Sequence, residues 1–470
     1  MRSFHTSAVT LTLSGFLLAC LAASAQQQKV YQPTIESLDS HPLPNWYNDA
    51  KLGVMIVWGL YSVPGWAPVQ HADHDFFNDD YLKYDPYAEW YYNASRIPGS
   101  PTEAYNREHY GATFNYYNFA GTFNEQSRKW DPDKMAAFLK DAGFKYVILT
   151  TKFHDGYLLW HSSVPNPDQQ NIESDRDLVA EFVTAMRKQG LRVGFYYSGG
   201  YDWTFDRGPI RTKEDYASVK PQSSAYGTYA DAQIEELIAK FHPSMIWNDI
   251  DWPKSGKPLQ LMADFYNAVP DGVVDDRFGV SHSDFDTPEY QVFGEVRKKK
   301  WEETRGVGLS FGYNRNEGEA ETIAPDALIK LLADIVSKNG NLDLGVGPEA
   351  DGSISPIQTQ RLEALGAWLK QNGEAIYGTR PWTRAEGDTG DATAVRFTQK
   401  DGNLYAILMG APSRHDVLLH TVKAQPGSQV TLLGDPQPLT WKQEDADLRV
   451  QLPPTLPGQY AYVLRIALPH

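Results

Sequence analysis

Asp131-Pro-Asp-Lys-Met-Ala-Ala-Phe-Leu-Lys-Asp-Ala-Gly143, followed at once by Phe144-Lys-Tyr-Val-Ile-Leu-Thr-Thr151, decides the fold class. Asp131-Pro132-Asp133 starts a helix, with proline in the first turn and acids near the positive end of the helix dipole. Met135, Phe138 and Leu139 supply its apolar face, and Gly143 ends it. The run Lys145 to Thr151 is continuous and apolar, as expected of a buried strand. The unit then recurs. A helix from Asp177 carries Leu178, Phe182 and Met186, stops at Gly190, and leads into Arg192-Val-Gly-Phe-Tyr-Tyr197. A third helix, Tyr229 to Lys240, passes Pro243 into Ser244-Met-Ile-Trp-Asn248.

Upstream of this unit, Leu52-Gly-Val-Met-Ile-Val-Trp58 reads as a first strand. Gly272 to Arg277, Val307 to Phe311 and Asn341 to Val346 read as later ones, the last after a helix Pro325 to Lys338. Helices alternating with apolar strands imply parallel strands and right-handed crossovers. The count predicts an α/β chain with a (β/α)8-like TIM barrel. A doubly wound sheet is the alternative, but no Gly-rich phosphate loop follows any strand. After a helix from Pro356 to Asn372 the texture changes. Short strands at Thr393–Thr398, Leu404–Met409, Asp416–Leu419, Gln429–Leu432, Leu448–Leu452 and Tyr460–Ile466 follow at intervals of roughly ten residues, which predicts an all-β sandwich. The expected organisation is a leader over residues 1–25, a barrel over 26–380 and a C-terminal β-sandwich over 381–470.

Composition narrows the function. The chain has 470 residues and a net charge of −16, which argues against non-specific nucleic-acid binding. One cysteine, Cys20, excludes a disulfide framework and any cysteine-ligated zinc or iron–sulfur site. Arg2, an apolar stretch from Val9 to Ala22, and Ala23-Ser24-Ala25 have the layout of an export signal cut after Ala25. The expectation is an exported protein, periplasmic or extracellular. Leu17-Leu-Ala-Cys20 also loosely matches a lipoprotein acceptor, the alternative being an anchor at Cys20. The apolar stretch is shorter than the ~20 residues of a membrane span, so no span is expected.

In a parallel barrel the chemistry gathers at the C-terminal ends of the strands. There the sequence places Trp58-Gly59, Lys152-Phe-His154-Asp155, Tyr196-Tyr-Ser198 and Trp247-Asn-Asp249. Arg277 closes a later strand, with Asp286-Thr-Pro-Glu289-Tyr290 beyond it, and Glu89-Trp90-Tyr91 lies after the first. The inventory is carboxylates, aromatic rings and one arginine. Rings stack on the C–H faces of sugars, and paired carboxyl groups cleave glycosidic bonds without metal. Such a pair needs divergent pKa values, and an adjacent arginine favours the ionised nucleophile. Taken singly, Trp247-Asn-Asp249 also suits a helix cap, Glu89-Trp-Tyr91 suits surface packing, and His154-Asp155 suits a core hydrogen-bonded pair. His71-Ala-Asp-His74-Asp75 has the residue types of a metal cluster but lacks two histidines at i, i+4. No metal or cofactor is expected.

Together these stretches resemble glycoside hydrolase family 29, the retaining α-L-fucosidases. The matches run in order: Asp49-Ala-Lys-Leu-Gly53, Trp58-Gly-Leu-Tyr-Ser-Val-Pro64, Glu89-Trp-Tyr91, Phe144 to Lys152, Tyr196-Tyr-Ser198, Trp247-Asn-Asp249, Trp301 to Arg305 and Gly308-Leu-Ser-Phe-Gly-Tyr-Asn314. The resemblance implies an exo-acting enzyme with Asp249 as nucleophile and Glu289 as general acid/base, the two about 5–5.5 Å apart as retention requires. Glu295 and Glu302 are the fallbacks for Glu289. Glu89, Trp90, His154, Tyr196, Trp247, Arg277 and Phe311 resemble sugar-contacting positions, and Trp58 is placed with them. The implied partner is a fucosylated oligosaccharide or glycoconjugate; the oligomeric state is left open. Two positions depart from the family pattern. Val57 and Phe153 stand where the family usually has histidines, replacing polar contacts with apolar surface. The alternatives are therefore a related glycosidase with altered sugar specificity, such as for an α-L-galactoside, or a non-catalytic carbohydrate-binding pseudo-enzyme.

Overall fold

A computed structural model describes residues 29–69 and 79–469. The expected leader with Cys20, and the His71–Asp75 group, lie outside the described residues. The deciding segment folds as its sequence dictates. Asp131 accepts the Lys134 N–H at 3.0 Å and caps the helix Pro132–Asp141. Gly143 turns the chain with φ 101°, where a Cβ would meet Leu369 and Tyr377 at 2.8 Å. The strand that follows is buried throughout. Asp177 likewise caps Leu178–Lys188, and Ser223 caps Ser224–Phe241.

Seven strands form one parallel sheet: β1 Leu52–Ile56, β2 Tyr146–Lys152, β3 Arg192–Ser198, β4 Met245–Asp249, β5 Val273–Val274, β6 Trp301–Gly306 and β7 Gly340–Val346. Their order is β5-β4-β3-β2-β1-β7-β6. An irregular segment stands between the two edges. Asp284 donates its N–H to Val274 O at 3.0 Å, and Asp286 exchanges bonds with Lys300 and Glu302. Bridges Asp286↔Trp301 and Glu289↔Thr304 continue parallel to β6. The fold is thus barrel-like with seven regular strands, and the irregular segment delivers Glu289.

Two strand expectations are corrected. Val307–Phe311 is a loop, and the strand is Trp301–Gly306 just before it. Its charged sequence, Glu302-Glu303-Thr304-Arg305, masks burial. The barrel interior compensates: Glu302 accepts from Tyr47 Oη at 2.8 Å, Trp247 Nε1 at 3.2 Å and Tyr146 Oη. Gly272–Arg277 contains only the short β5, because the chain turns away to carry Arg277.

The C-terminal strands form two antiparallel sheets, one of six strands and one of three. They enclose a core that includes Phe397, Leu404, Val450 and Ile466. The polar strands Arg380–Asp388 and Trp441–Glu444 were not legible from hydropathy. Trp368 donates from Nε1 to Ala461 O at 2.8 Å, and Tyr405, Ile407 and Val463 join the core of the barrel. This module is packed onto the barrel helices.

Candidate active site

β4 ends in Trp247-Asn-Asp249, and strand alternation sends Trp247 and Asp249 to the barrel interior while Asn248 points outward. Asn248 ties the rim together, donating to Asp251 O at 3.0 Å and Arg277 O at 2.8 Å. The next two residues are both left-handed, Ile250 at φ 63° and Asp251 at φ 72°. For a β-branched residue this costs on the order of 1–2 kcal/mol. Neighbours enforce it. Gly200 donates its N–H to Asp249 O at 3.1 Å, and a Cβ there would lie 1.7 Å from Ile250 O. The turn aims the Ile250 N–H at Asp249 Oδ1, 3.0 Å away.

Asp249 receives two further bonds. Arg277 Nη1 donates to Oδ1 at 2.9 Å, and Tyr196 Oη donates to Oδ2 at 2.7 Å. Tyr196 stacks on Trp247 with centroids 5.5 Å apart, and the Arg277 guanidinium lies 4.5 Å from the Trp247 ring. Arg277 also donates from Nη2 to Glu289 Oε2 at 3.3 Å. Burial pulls the Arg277 pKa down, but Asp249 and Glu289 outweigh it and the net shift is upward. Glu289 accepts from Tyr87 Oη at 2.9 Å. Burial raises the Glu289 carboxyl above the ordinary range, with Arg277 and Tyr87 opposing in part.

Glu89 accepts from Ser310 Oγ at 2.9 Å and the Gly312 N–H at 2.8 Å, and burial pushes it up to about 7. His154 sits with Nε2 3.9 Å from Asp249 Oδ2 and Nδ1 2.6 Å from Ser198 Oγ. Burial pushes its pKa down to about 3, so the ring is neutral at physiological pH. Its loop is anchored by Lys152 and Asp202, 2.9 Å apart and both fully buried. Truncating one partner of such a pair costs about 3–5 kcal/mol.

One cavity of about 260 Å³ lies at the centre of this arrangement. It brings together Asp249, Glu289, Glu89, Trp90, His154, Tyr196, Trp247, Arg277 and Phe311. Trp58 is not at the wall: its Nε1 donates to Glu349 O at 2.8 Å and its ring packs on Phe123 and Trp130. Asp155 also turns away, accepting from Tyr116 Oη at 2.7 Å. Glu295 is exposed away from the cavity, and Glu302 lies beneath Trp247. Met55, Val57 and Phe153 make an apolar wall, with Phe153 stacked on His154 at 4.0 Å. Tyr87, Asp85 and Tyr216 line the cavity without having been singled out. Tyr87 stands two residues before Glu89, whereas Tyr216 arrives on a short helix, Asp215–Ser218, that no periodicity announces. Beside the cavity a shallower groove shares Asp249 and Arg277 and adds Lys220, Asp251 and Asp276.

Among the described residues no group of three or more His, Cys, Asp or Glu side chains is placed to hold a metal ion. No helix among them is long and apolar enough to cross a membrane. The arrangement offers two carboxyl groups in unlike environments, both bonded to one arginine. Aromatic rings and a neutral imidazole surround them.

The alpha-L-fucosidase family model matches residues 18–374, and the alpha-L-fucosidase C-terminal domain matches 389–467. An alpha-L-fucosidase of Branchiostoma floridae is 33% identical over 478 residues, spanning 96% of this chain and 99% of the relative. The crystal structure of Thermotoga maritima alpha-fucosidase is similar with a TM-score of 0.84 at 41% identity, covering 93% of this chain and 100% of that one. A Thermotoga maritima alpha-L-fucosynthase in complex with alpha-L-Fuc-(1-2)-beta-L-Fuc-N3 gives a TM-score of 0.86 at 41% identity, covering 93% and 99%.

Proposed function

Because the chain belongs to the alpha-L-fucosidase family, and is a glycosidase of that kind, we propose that it removes terminal α-L-fucosyl residues with retention, by two displacements. Asp249 attacks the anomeric carbon as the bond to the leaving oxygen breaks, forming a covalent glycosyl-enzyme. Glu289 gives its proton to that oxygen. In the second step Glu289 takes a proton from water, and the water oxygen displaces Asp249 from the anomeric carbon.

The observation that carries this reading is the shared arginine. Arg277 bonds to Asp249 Oδ1 at 2.9 Å and to Glu289 Oε2 at 3.3 Å, keeping both carboxyl groups at one end of one cavity. The unlike environments supply the asymmetry a nucleophile and an acid need. A cavity of about 260 Å³ suits one sugar ring, which favours exo action. The shallower groove alongside suits the departing group. The fucosylated oligosaccharide or glycoconjugate is the substrate class we assign. The leader over residues 1–25 supports export as part of the same proposal.

A second reading, a related glycosidase for a different sugar, has one observation behind it: the apolar wall of Met55, Val57 and Phe153. A panel of aryl α-L-fucoside, α-L-galactoside and other α-L-glycosides separates the two. The fucosidase reading expects release from the fucoside, with the α-anomer of the free sugar formed first in a proton NMR time course. Preferred turnover of another sugar favours the second reading. The β-anomer formed first contradicts retention, and no turnover of any member indicates a pseudo-enzyme.

A further inference from the structure

We propose that Ser198 is a positioning residue that fixes the proton of His154 on Nδ1 and leaves Nε2 as a bare acceptor for a substrate hydroxyl beside Asp249. The identity of the substrate rests on the fucosidase reading above; the position of the proton does not. Ser198 Oγ has one proton and two partners. It lies 2.8 Å from Tyr201 O, which can only accept, and 2.6 Å from His154 Nδ1. Both bonds form only if Oγ donates to the carbonyl and accepts from Nδ1–H. In a neutral ring Nε2 then carries a lone pair. The depressed pKa of His154, set first by burial, is consistent with that neutrality.

The consequence falls on the nucleophile. Nε2 stands 3.9 Å from Asp249 Oδ2, and Oδ2 already accepts from Tyr196 Oη. Two acceptors therefore face one spot, and they call for a donor between them. With the anomeric carbon at Asp249, the hydroxyl on the adjacent ring carbon is the group a sugar brings there. The opposite tautomer would aim an N–H at the attacking carboxylate and leave the single Ser198 proton to serve two acceptors, Nδ1 and Tyr201 O, so that one of the two contacts would lack a hydrogen. The imidazole has little room to turn over. Trp90, Tyr201 and Trp203 pack against it at near-perpendicular angles with ring centroids 5.1, 5.3 and 5.5 Å away, and Phe153 stacks on its face at 4.0 Å. Ser198 pairs with Asp249 in the β3–β4 register, so the lock and the nucleophile are held by the same ladder.

The direct test is nitrogen NMR of the free full-length protein labelled with ¹⁵N-histidine, His154 being assigned by its loss in His154→Gln. The expected spectrum has the proton bonded to Nδ1 and a non-protonated Nε2. A proton bonded to Nε2 overturns the proposal. This result does not depend on turnover, so an inactive protein would count against the fucosidase reading alone. In kinetics, Ser198→Ala should lower kcat/KM on an aryl α-L-fucoside by at least tenfold, and Ser198→Thr should restore most of it. On the 2-deoxy analogue the loss should shrink to less than threefold, because the hydroxyl that meets Nε2 is gone. An equal loss on both substrates, or no loss on either, overturns it.

Discussion

Asp249 and Arg277 are bonded at 2.9 Å between Oδ1 and Nη1, although 28 positions of chain separate them. The sequence between them forms the Pro258–Ala268 helix and the two-residue β5, which return Arg277 to the rim it left at Asp249. The same guanidinium continues to Glu289, so the two carboxyl groups of the proposed reaction are positioned by one side chain.

The pH profile should report the acid of that pair. Glu289 must be protonated to deliver its proton, and burial first of all raises its pKa, with Arg277 and Tyr87 opposing. Activity is therefore retained above the ordinary carboxyl range and lost as pH rises through the raised value. Measured kcat/KM should show an alkaline limb that disappears in Glu289→Gln. That variant should lose at least a hundredfold on substrates with poor leaving groups and much less on a glycosyl fluoride, which departs without a proton. An unchanged alkaline limb in Glu289→Gln would assign the proton to another group.

Stability should fall over the same direction of pH for a separate reason. Glu317 is pushed up to about 8, chiefly by burial, as is Glu303. A carboxyl whose folded pKa exceeds its unfolded value of about 4.3 contributes stability that is complete below that value and lost as pH rises toward 8. Each such group removes on the order of a few kcal/mol by the end of that window. Tm followed from pH 5 to pH 9 should decline, and Glu317→Gln, whose amide oxygen can still accept from Ser310 N–H, should flatten the decline. A slope unaltered by that substitution contradicts the assignment.

What was legible in the sequence follows from where burial and hydropathy agree. β2 and its preceding helix are apolar where they are buried, and both were read within a residue or two. β6 is buried at every position but Arg305, yet it carries Glu302 and Glu303, so periodicity shifted the strand into the loop that follows. Its carboxyl is accommodated by Tyr47, Tyr146 and Trp247, partners more than fifty positions away that no local pattern reveals. The same distinction governs the site. Residues at strand ends, such as Tyr196, Trp247 and Asp249, were found because the barrel geometry places strand ends together. Trp58 followed the same rule to the wrong side of the wall, where its indole turns to Phe123 and Trp130. Tyr87 and Tyr216 come from excursions between the barrel strands, whose paths only the folded chain defines.

The apolar wall gives a gain-of-function test. Val57 and Phe153 can offer a sugar hydroxyl no hydrogen bond, and a site built with such partners discriminates strongly between a hydroxyl and its absence. Val57→His and Phe153→His, made singly and together, should raise kcat/KM on an unsubstituted aryl α-L-fucoside by about tenfold or more in the double variant, since a hydrogen bond to a neutral partner contributes about 0.5–1.5 kcal/mol. The check is kcat/KM beside retained Tm. No gain, in folded protein, would mean that this wall does not face a ring hydroxyl.

In the proposed reaction Asp249 forms a covalent bond to the sugar. A 2-deoxy-2-fluoro fucosyl fluoride loads such a nucleophile and slows its release, so the intermediate accumulates. After brief reaction, proteolysis and tandem mass spectrometry should locate one fluorofucosyl adduct on the peptide containing Trp247-Asn-Asp249, at Asp249 itself. An adduct on any other side chain, or an inactivated enzyme with Asp249 unmodified, contradicts the account.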